Sequence, residues 1–419
     1  MFDRLSHVYQ SLLWASFVLF VTTALSASFG VAAYSVSLGV LAMLSFGSVF
    51  AWRAWRLLGV ERLGLALLIW LCARDVLESG TGGLLTVLSE YRLFWVAPLI
   101  AVALNRWVEP QNILVPVVVA LGIYFIGSVS LTLLDDPFLI SEQKRVIQGN
   151  GGPHLSLGGK FVNGLISTLG IGLALGASVT TSSKIGAAFL VMFAAAISAY
   201  TLFVEDGRTG YALVFTAWLV AAMIALYRSG LSFALVLLVL VIGSTFVSND
   251  HRVQSQVERV WTGFDEVLTH KNMNSSTGQR LQGFVLIADH DWSRLMFGDG
   301  YTQGREVIEQ WSSEGRLIGE PIKSGNLHSD VAHILLYGGV IGLTLYGAFG
   351  IALLRLLTKS IGYRNYVGAS LSASLGMMIF VSGCLNSTLL DLRERAVVIV
   401  LFVLLAHHFR TREVANEAY

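Results

Sequence analysis

The chain has 419 residues, of which 54% are hydrophobic and only 13% charged, and its mean hydropathy is +0.67. A soluble domain carries roughly 25% charge, so this composition excludes an ordinary soluble protein and predicts an all-α polytopic membrane protein. The net charge of +1, without a basic run or aromatic–basic interleaving, offers nucleic acid no footing. The two cysteines, Cys72 and Cys384, lie in or beside apolar segments without metal-ligand spacing, so neither a disulfide framework nor a zinc site is implied.

A spanning helix needs about 20 mostly apolar residues, because its backbone polar groups must be satisfied within the segment. In chain order such segments fall at 11–27, 31–51, 60–74, 81–104, 113–134, 161–178, 185–203, 209–227, 231–247, 331–354, 367–386 and 396–409. These amount to about 12 transmembrane helices. The first has no small-residue cleavage site leading into a soluble domain and is expected to be retained.

Twelve crossings that start inside put Arg4, Arg53, Arg56, Arg62, Arg106, Lys184, Arg228, Arg355, Lys359, Arg364, Arg410 and Arg412 on the cytoplasmic side. The positive-inside rule favours that orientation, with both termini cytoplasmic. The connections at about 135–160, 204–208, 248–330 and 387–395 then face the other compartment. The chain divides into residues 1–247 with the first nine spans, a polar loop domain at 248–330, and 331–419 with the last three.

Inside the polar island, Val253, Val257, Val260, Trp261, Phe264 and Leu268 recur at three- and four-residue steps, which predicts an amphipathic helix. Thr277-Gly278-Gln279 opens a second helix carrying Arg280, Leu281, Phe284 and Ile287, closed by the turn Gly298-Asp299-Gly300. No internal repeat of the kind many transporters show is evident.

The topology brings Arg208, Arg280 and His328 to one compartment. Arg208 begins a spanning helix, where free N–H groups and the positive dipole end favour an anion and a guanidinium grips phosphate bidentately. An interfacial anchor paired with Glu205 or Asp206 is the alternative. Arg280 alone reads as a solvated helix face, and His328 alone as a satisfied loop histidine. His333 packs inside the bundle or supports His328. Arg74, Asp75, Glu90 and Arg92 sit in or beside apolar segments, where charge is costly; mutual pairing and lipid-phosphate binding are the two readings. Lys144, Arg145, Lys160, Arg305, Arg316 and Lys323 are either solvated or face anionic head groups. Asp135-Asp136-Pro137 reads as a turn, and Gly298-x-Gly300 lacks the βαβ context of a dinucleotide fingerprint.

His328-Ser329, followed by Gly339 and Gly342 in Tyr337-Gly338-Gly339-Val340-Ile341-Gly342, resembles the His-Asn/Ser and Gly-x-x-Gly signature of the O-antigen ligase and O-antigen polymerase superfamily. Asp206-Gly207-Arg208-Thr209-Gly210 is similar to that superfamily's Ser-Arg-Thr-Gly segment. Ser276-Thr277-Gly278-Gln279-Arg280-Leu281 is similar to its Gly-Arg-Leu segment, and Phe297-Gly298-Asp299-Gly300 to the glycine turn that follows. Asp206 departs from the usual small hydroxyl residue, and Ser329 stands where Asn is commoner.

The resemblance implies a lipid-carrier glycosyltransferase of the ligase type in the inner membrane of a Gram-negative bacterium. Such an enzyme moves a glycan from undecaprenyl diphosphate onto lipid A-core oligosaccharide at the periplasmic face, for lipopolysaccharide biosynthesis. It implies no cofactor and no metal ion: Arg208 and Arg280 would hold the diphosphate, and His328 would activate the acceptor hydroxyl, with inversion. An O-antigen polymerase, whose acceptor is a second carrier-linked glycan, and a lipid-linked glycan flippase are the alternatives.

Overall fold

A computed structural model describes residues 2–26, 31–50, 57–107, 110–134, 160–203, 208–228, 276–317, 327–386, 388–390 and 392–417, with single residues of the 254–269 stretch. The described residues are helical and contain no strand. The helices are α1 (Phe2–Ser26), α2 (Val31–Phe50), α3 (Gly59–Ser79), α4 (Leu84–Glu90), α5 (Leu93–Trp107), α6 (Pro110–Leu134), α7 (Lys160–Thr180), α8 (Lys184–Phe203) and α9 (Arg208–Arg228). After these come α10 (Ser276–Ala288), α11 (Trp292–Phe297), α12 (Tyr301–Ser313), α13 (Asp330–Gly362), α14 (Tyr366–Gly376) and α15 (Leu392–Glu417).

Among the described residues, three stretches are long and apolar enough to cross a membrane: His7–Leu25, Lys184–Thr201 and Asp330–Gly362. A fourth is the broken pair Gly59–Glu90 and Leu93–Asn105, bent by 55°. Shorter apolar helices lie at Ala33–Gly47, Ile113–Gly127, Gly164–Thr180, Ala212–Ala222 and Tyr366–Ser382. The expected segment at 231–247 lies outside the described residues, as does most of the expected amphipathic helix. Of the latter, Gln254, Glu258, Thr262 and Asp265 are helical and exposed, and their four- and three-residue steps trace its polar face.

The bundle is organised around α15. Ala396 to Ala406 are buried without interruption, so the helix is apolar on every side and lies at the centre rather than at a lipid surface. It packs on α5, itself buried from Phe94 to Leu104 on nearly every side, and on α14 and α7. The segment expected as one helix over 81–104 is instead a 3₁₀ turn at Gly80–Gly83, then α4, then a break at Tyr91-Arg92 before α5. Tyr91 at the break is buried, at 1% exposure, between the half-buried Glu90 and Arg92.

α13 also breaks, at Gly339, whose φ of 63° and ψ of −164° are open only to glycine. In a continuous helix the carbonyls of Leu336, Tyr337 and Gly338 would accept from N–H groups four residues on. Each finds another donor here. Asp299 N–H reaches the Leu336 carbonyl at 2.8 Å, and Gly300 N–H reaches that of Tyr337 at 3.0 Å. The Trp70 indole Nε1–H reaches that of Gly338 at 2.7 Å. A break in so apolar a helix persists only where other protein groups satisfy the freed backbone, and the glycine turn with α3 supplies that.

Candidate active site

The Gly298-Asp299-Gly300 turn docks on the broken helix because neither backbone carries a side chain at the contact. A methyl added at Gly298, whose φ is 82°, would lie 2.5 Å from the Tyr337–Gly338 peptide, and one at Gly339 would lie 2.5 Å from the Met296 carbonyl carbon. Arg74 of α3 donates from Nε and Nη2 to the Gly298 carbonyl at 3.1 and 2.6 Å, capping α11, and pairs with Glu78. Asp75 Oδ1 accepts from Thr302 N–H at 2.7 Å and so caps α12, whose own N-cap residue, Gly300, has no side chain to do it. The helices α11 and α12 are therefore held at their backbones, by the Arg74 and Asp75 side chains of α3 and by the main chain of α13.

Asp299 turns its carboxylate away from that contact. It is 2% exposed, with Arg294 Nε at 3.6 Å and His290 Nε2 at 3.9 Å, and the His290 ring lies 5.2 Å from the Trp311 ring. Burial raises the Asp299 carboxyl above its ordinary range against the opposing pull of His290 and Arg294. Burial likewise lowers the His290 imidazole, which Asp299 partly offsets.

His328 stands at the head of α13 with φ 52°, an uncommon left-handed backbone that among the described non-glycine residues only Arg364 shares. Leu327 and Ser329 on either side are fully buried at 0%, while His328 between them is partly open. Ser329 caps α13 through its hydroxyl, which accepts from Ala332 N–H, and donates to the Gly383 carbonyl at 3.4 Å. Asp330 accepts from Leu389 N–H at 3.0 Å on both carboxylate oxygens. Leu327 N–H donates to His333 Nε2 at 3.1 Å.

α10 packs on α13 beside this loop. A Cβ at Gly283 would meet the Leu327 side chain at 3.3 Å, and Arg280 lies three residues before Gly283 on the same helix face. The helix of Arg280 thus rests directly against the residue preceding His328.

Arg208 opens α9 as expected from sequence, and its side chain lies outside the described residues. The backbone can be located rung by rung. α7 runs antiparallel to α14, with Gly176 against Ser370 and Gly172 against Ser374. Gly164 lies twelve residues before Gly176, or about 18 Å along the helix, and is therefore level with residue 382. Gly164 in turn touches the Gly210 Cα, 3.1 Å from where its Cβ would be. The start of α9 is thus at the end of the bundle where Gly383 accepts from Ser329.

His333 is 1% exposed and has both ring nitrogens engaged, Nε2 with Leu327 N–H and Nδ1 with the Tyr337 hydroxyl at 2.9 Å. The Tyr337 ring lies 5.1 Å from that of Tyr301, whose hydroxyl accepts from Arg305 Nη1 at 3.4 Å.

Of the four charges in or beside the apolar segments, three have partners outside the set. Arg74 pairs with Glu78, Asp75 takes a backbone N–H of α12, and Glu90 Oε2 lies 3.1 Å from Arg395 Nη2. Arg395 is fully buried and also donates to the carbonyls of Ser89, at 3.0 Å, Glu90, and Leu390, at 3.1 Å. Sequence reasoning left Arg395 in an outer loop; its only early signal is a basic residue immediately before an apolar run. Arg92 Nε and Nη2 are buried without a hydrogen-bond partner among the described residues. Among those residues, no group of three His, Cys, Asp or Glu is placed to hold a metal ion.

No protein-family model matches the chain, and no curated protein matches it.

Proposed function

We propose that the protein is an O-antigen ligase-type glycosyltransferase, transferring a glycan from undecaprenyl diphosphate to lipid A-core oligosaccharide. The presentation of His328 carries this reading: a histidine held in left-handed backbone between two fully buried residues, with the Arg280 helix packed on its neighbour and the α9 N-terminus at the same end of the bundle. That placement supports the reading by leaving an imidazole partly open beside the Arg280 helix.

In this reading the acceptor hydroxyl attacks the anomeric carbon as the carbon–oxygen bond to the diphosphate breaks. His328 takes the hydroxyl proton, and Arg208 and Arg280 neutralise the departing diphosphate. The reaction is a single displacement with inversion. The chain then crosses the inner membrane of a Gram-negative bacterium about twelve times with both termini cytoplasmic, and the 248–330 domain and its site face the periplasm.

The test is purified protein given a carrier-linked glycan and lipid A-core, with and without chelator. Covalent transfer to the core, lost in His328→Ala while donor binding persists, is the expected result. Elongation of the carrier-linked glycan would identify a polymerase instead, and glycan transport without either product a flippase. Unchanged donor affinity and turnover in Arg280→Ala would remove Arg280 from the diphosphate clamp.

A further inference from the structure

We infer that His333 is a positioning residue for His328, holding it through the main chain and linking its placement to the docking of the loop domain; this rests on the reading of His328 as the base. Leu327 N–H donates to His333 Nε2 at 3.1 Å, so that nitrogen offers its lone pair and the ring proton resides on Nδ1, which donates to the Tyr337 hydroxyl at 2.9 Å. With both nitrogens engaged and 1% of its surface exposed, His333 cannot itself meet a substrate.

The Leu327 side chain is fully buried, and without His333 its amide would lose its acceptor. Releasing that amide frees the residue immediately before His328, whose φ of 52° depends on being held from both sides. The other side is held by Ser329 on Gly383 and by Asp330 on Leu389. His333 is therefore the restraint on the N-terminal side.

The far end of the chain of contacts reaches α12. The Tyr337 ring lies against Tyr301, and a methyl at Gly304 would sit 2.5 Å from Tyr337 Cδ1, so the α12 backbone abuts that ring. Seating α12 places Tyr337, Tyr337 orients the His333 ring, and His333 holds the Leu327 amide. Tyr301, Tyr337 and His333 thereby connect α12 to the catalytic loop without contacting substrate.

The experiment compares His333→Leu, His333→Gln and Tyr337→Phe in the transfer assay, with hydrogen exchange read at the Leu327 amide. A glutamine amide oxygen can accept where Nε2 does; leucine cannot. We expect His333→Leu to lower kcat by about 100-fold, the scale of an ångström-sized misplacement, with the donor KM unchanged and faster exchange at Leu327. His333→Gln should restore most of both, and Tyr337→Phe should fall between. Wild-type kcat in His333→Leu, or failure of His333→Gln to recover activity while its Leu327 amide is protected, overturns the inference. Should His333→Leu not fold, the glutamine and Tyr337→Phe variants decide, and wild-type values in Tyr337→Phe then count against it. His328→Ala is assayed alongside: full transfer there overturns the base assignment, whereas loss there with full activity in His333→Leu overturns positioning alone.

Discussion

Replacing Gly298 with Ala tests whether the glycine turn is what joins α11 and α12 to the broken helix. Two costs arise. The first is conformational, since φ 82° with ψ 172° lies in a region nearly reserved for glycine and costs a residue with a Cβ about 1–3 kcal/mol. The second is contact, since the methyl would lie 2.5 Å from the Tyr337–Gly338 peptide and the turn must move away. Moving it lengthens the Asp299–Leu336 and Gly300–Tyr337 hydrogen bonds, now 2.8 and 3.0 Å, and a buried group left unpaired costs about 1–3 kcal/mol. With one of the two bonds lost, the sum is about 2–6 kcal/mol. Gly315 is the internal control: its φ is 71° but nothing lies within 4 Å of a Cβ there, so Gly315→Ala bears only the conformational cost of about 1–2 kcal/mol. Equilibrium unfolding in detergent micelles, with proteolysis at the loop domain followed in parallel, measures both. If Gly298→Ala is no less stable than Gly315→Ala, the backbone docking described above does not hold α11 and α12.

Three further outcomes follow from the same contacts. Asp75→Ala should destabilise by about 1–3 kcal/mol, because the 2.7 Å acceptor of Thr302 N–H is lost from a buried cap; fraying of α12 in hydrogen exchange checks it, and unchanged protection at Thr302 would count against it. Glu90→Gln should cost about 3–5 kcal/mol by leaving the fully buried Arg395 without its counter-charge, whereas the double change Glu90→Gln with Arg395→Met should recover much of that; thermal unfolding of the two variants compares them. For His290 the folded imidazole lies below its ordinary 6.5, so the unfolded chain binds a proton that the folded one refuses. Stability from this group is complete above pH 6.5 and is lost as pH falls from there toward the lowered value. Asp299, raised by burial, acts oppositely: its folded state is favoured when protonated, and that contribution is lost as pH rises from its ordinary 3.8 through the raised value. Denaturation at pH 5 to 8 should therefore show a slope near pH 6 that His290→Gln flattens.

Composition alone determined that the protein is helical and apolar, because a chain with 13% charge and extended apolar runs has few ways to satisfy its backbone other than helices. Helix starts were legible where a local signal exists: α10 begins at Ser276, within one residue of the Thr277-Gly278-Gln279 opening, and α9 at Arg208. The turn at Gly298 to Gly300 was legible because its glycines adopt positive φ, which the sequence encodes locally.

Tertiary structure alone decided what those elements meet. The break at Gly339 is invisible in an apolar profile, because its cost is met by donors from Asp299, Gly300 and Trp70, 40, 39 and 269 residues away. The partner of Glu90 is Arg395, 305 residues on, and no spacing rule links them. His333 and His328 are indistinguishable as letters five positions apart. Their difference lies in burial and backbone: one is sealed with both nitrogens bonded, the other is held partly open at φ 52°. Local propensity specifies a helix or a turn because those depend on near neighbours, whereas the accounting of buried donors and acceptors closes only over the whole fold.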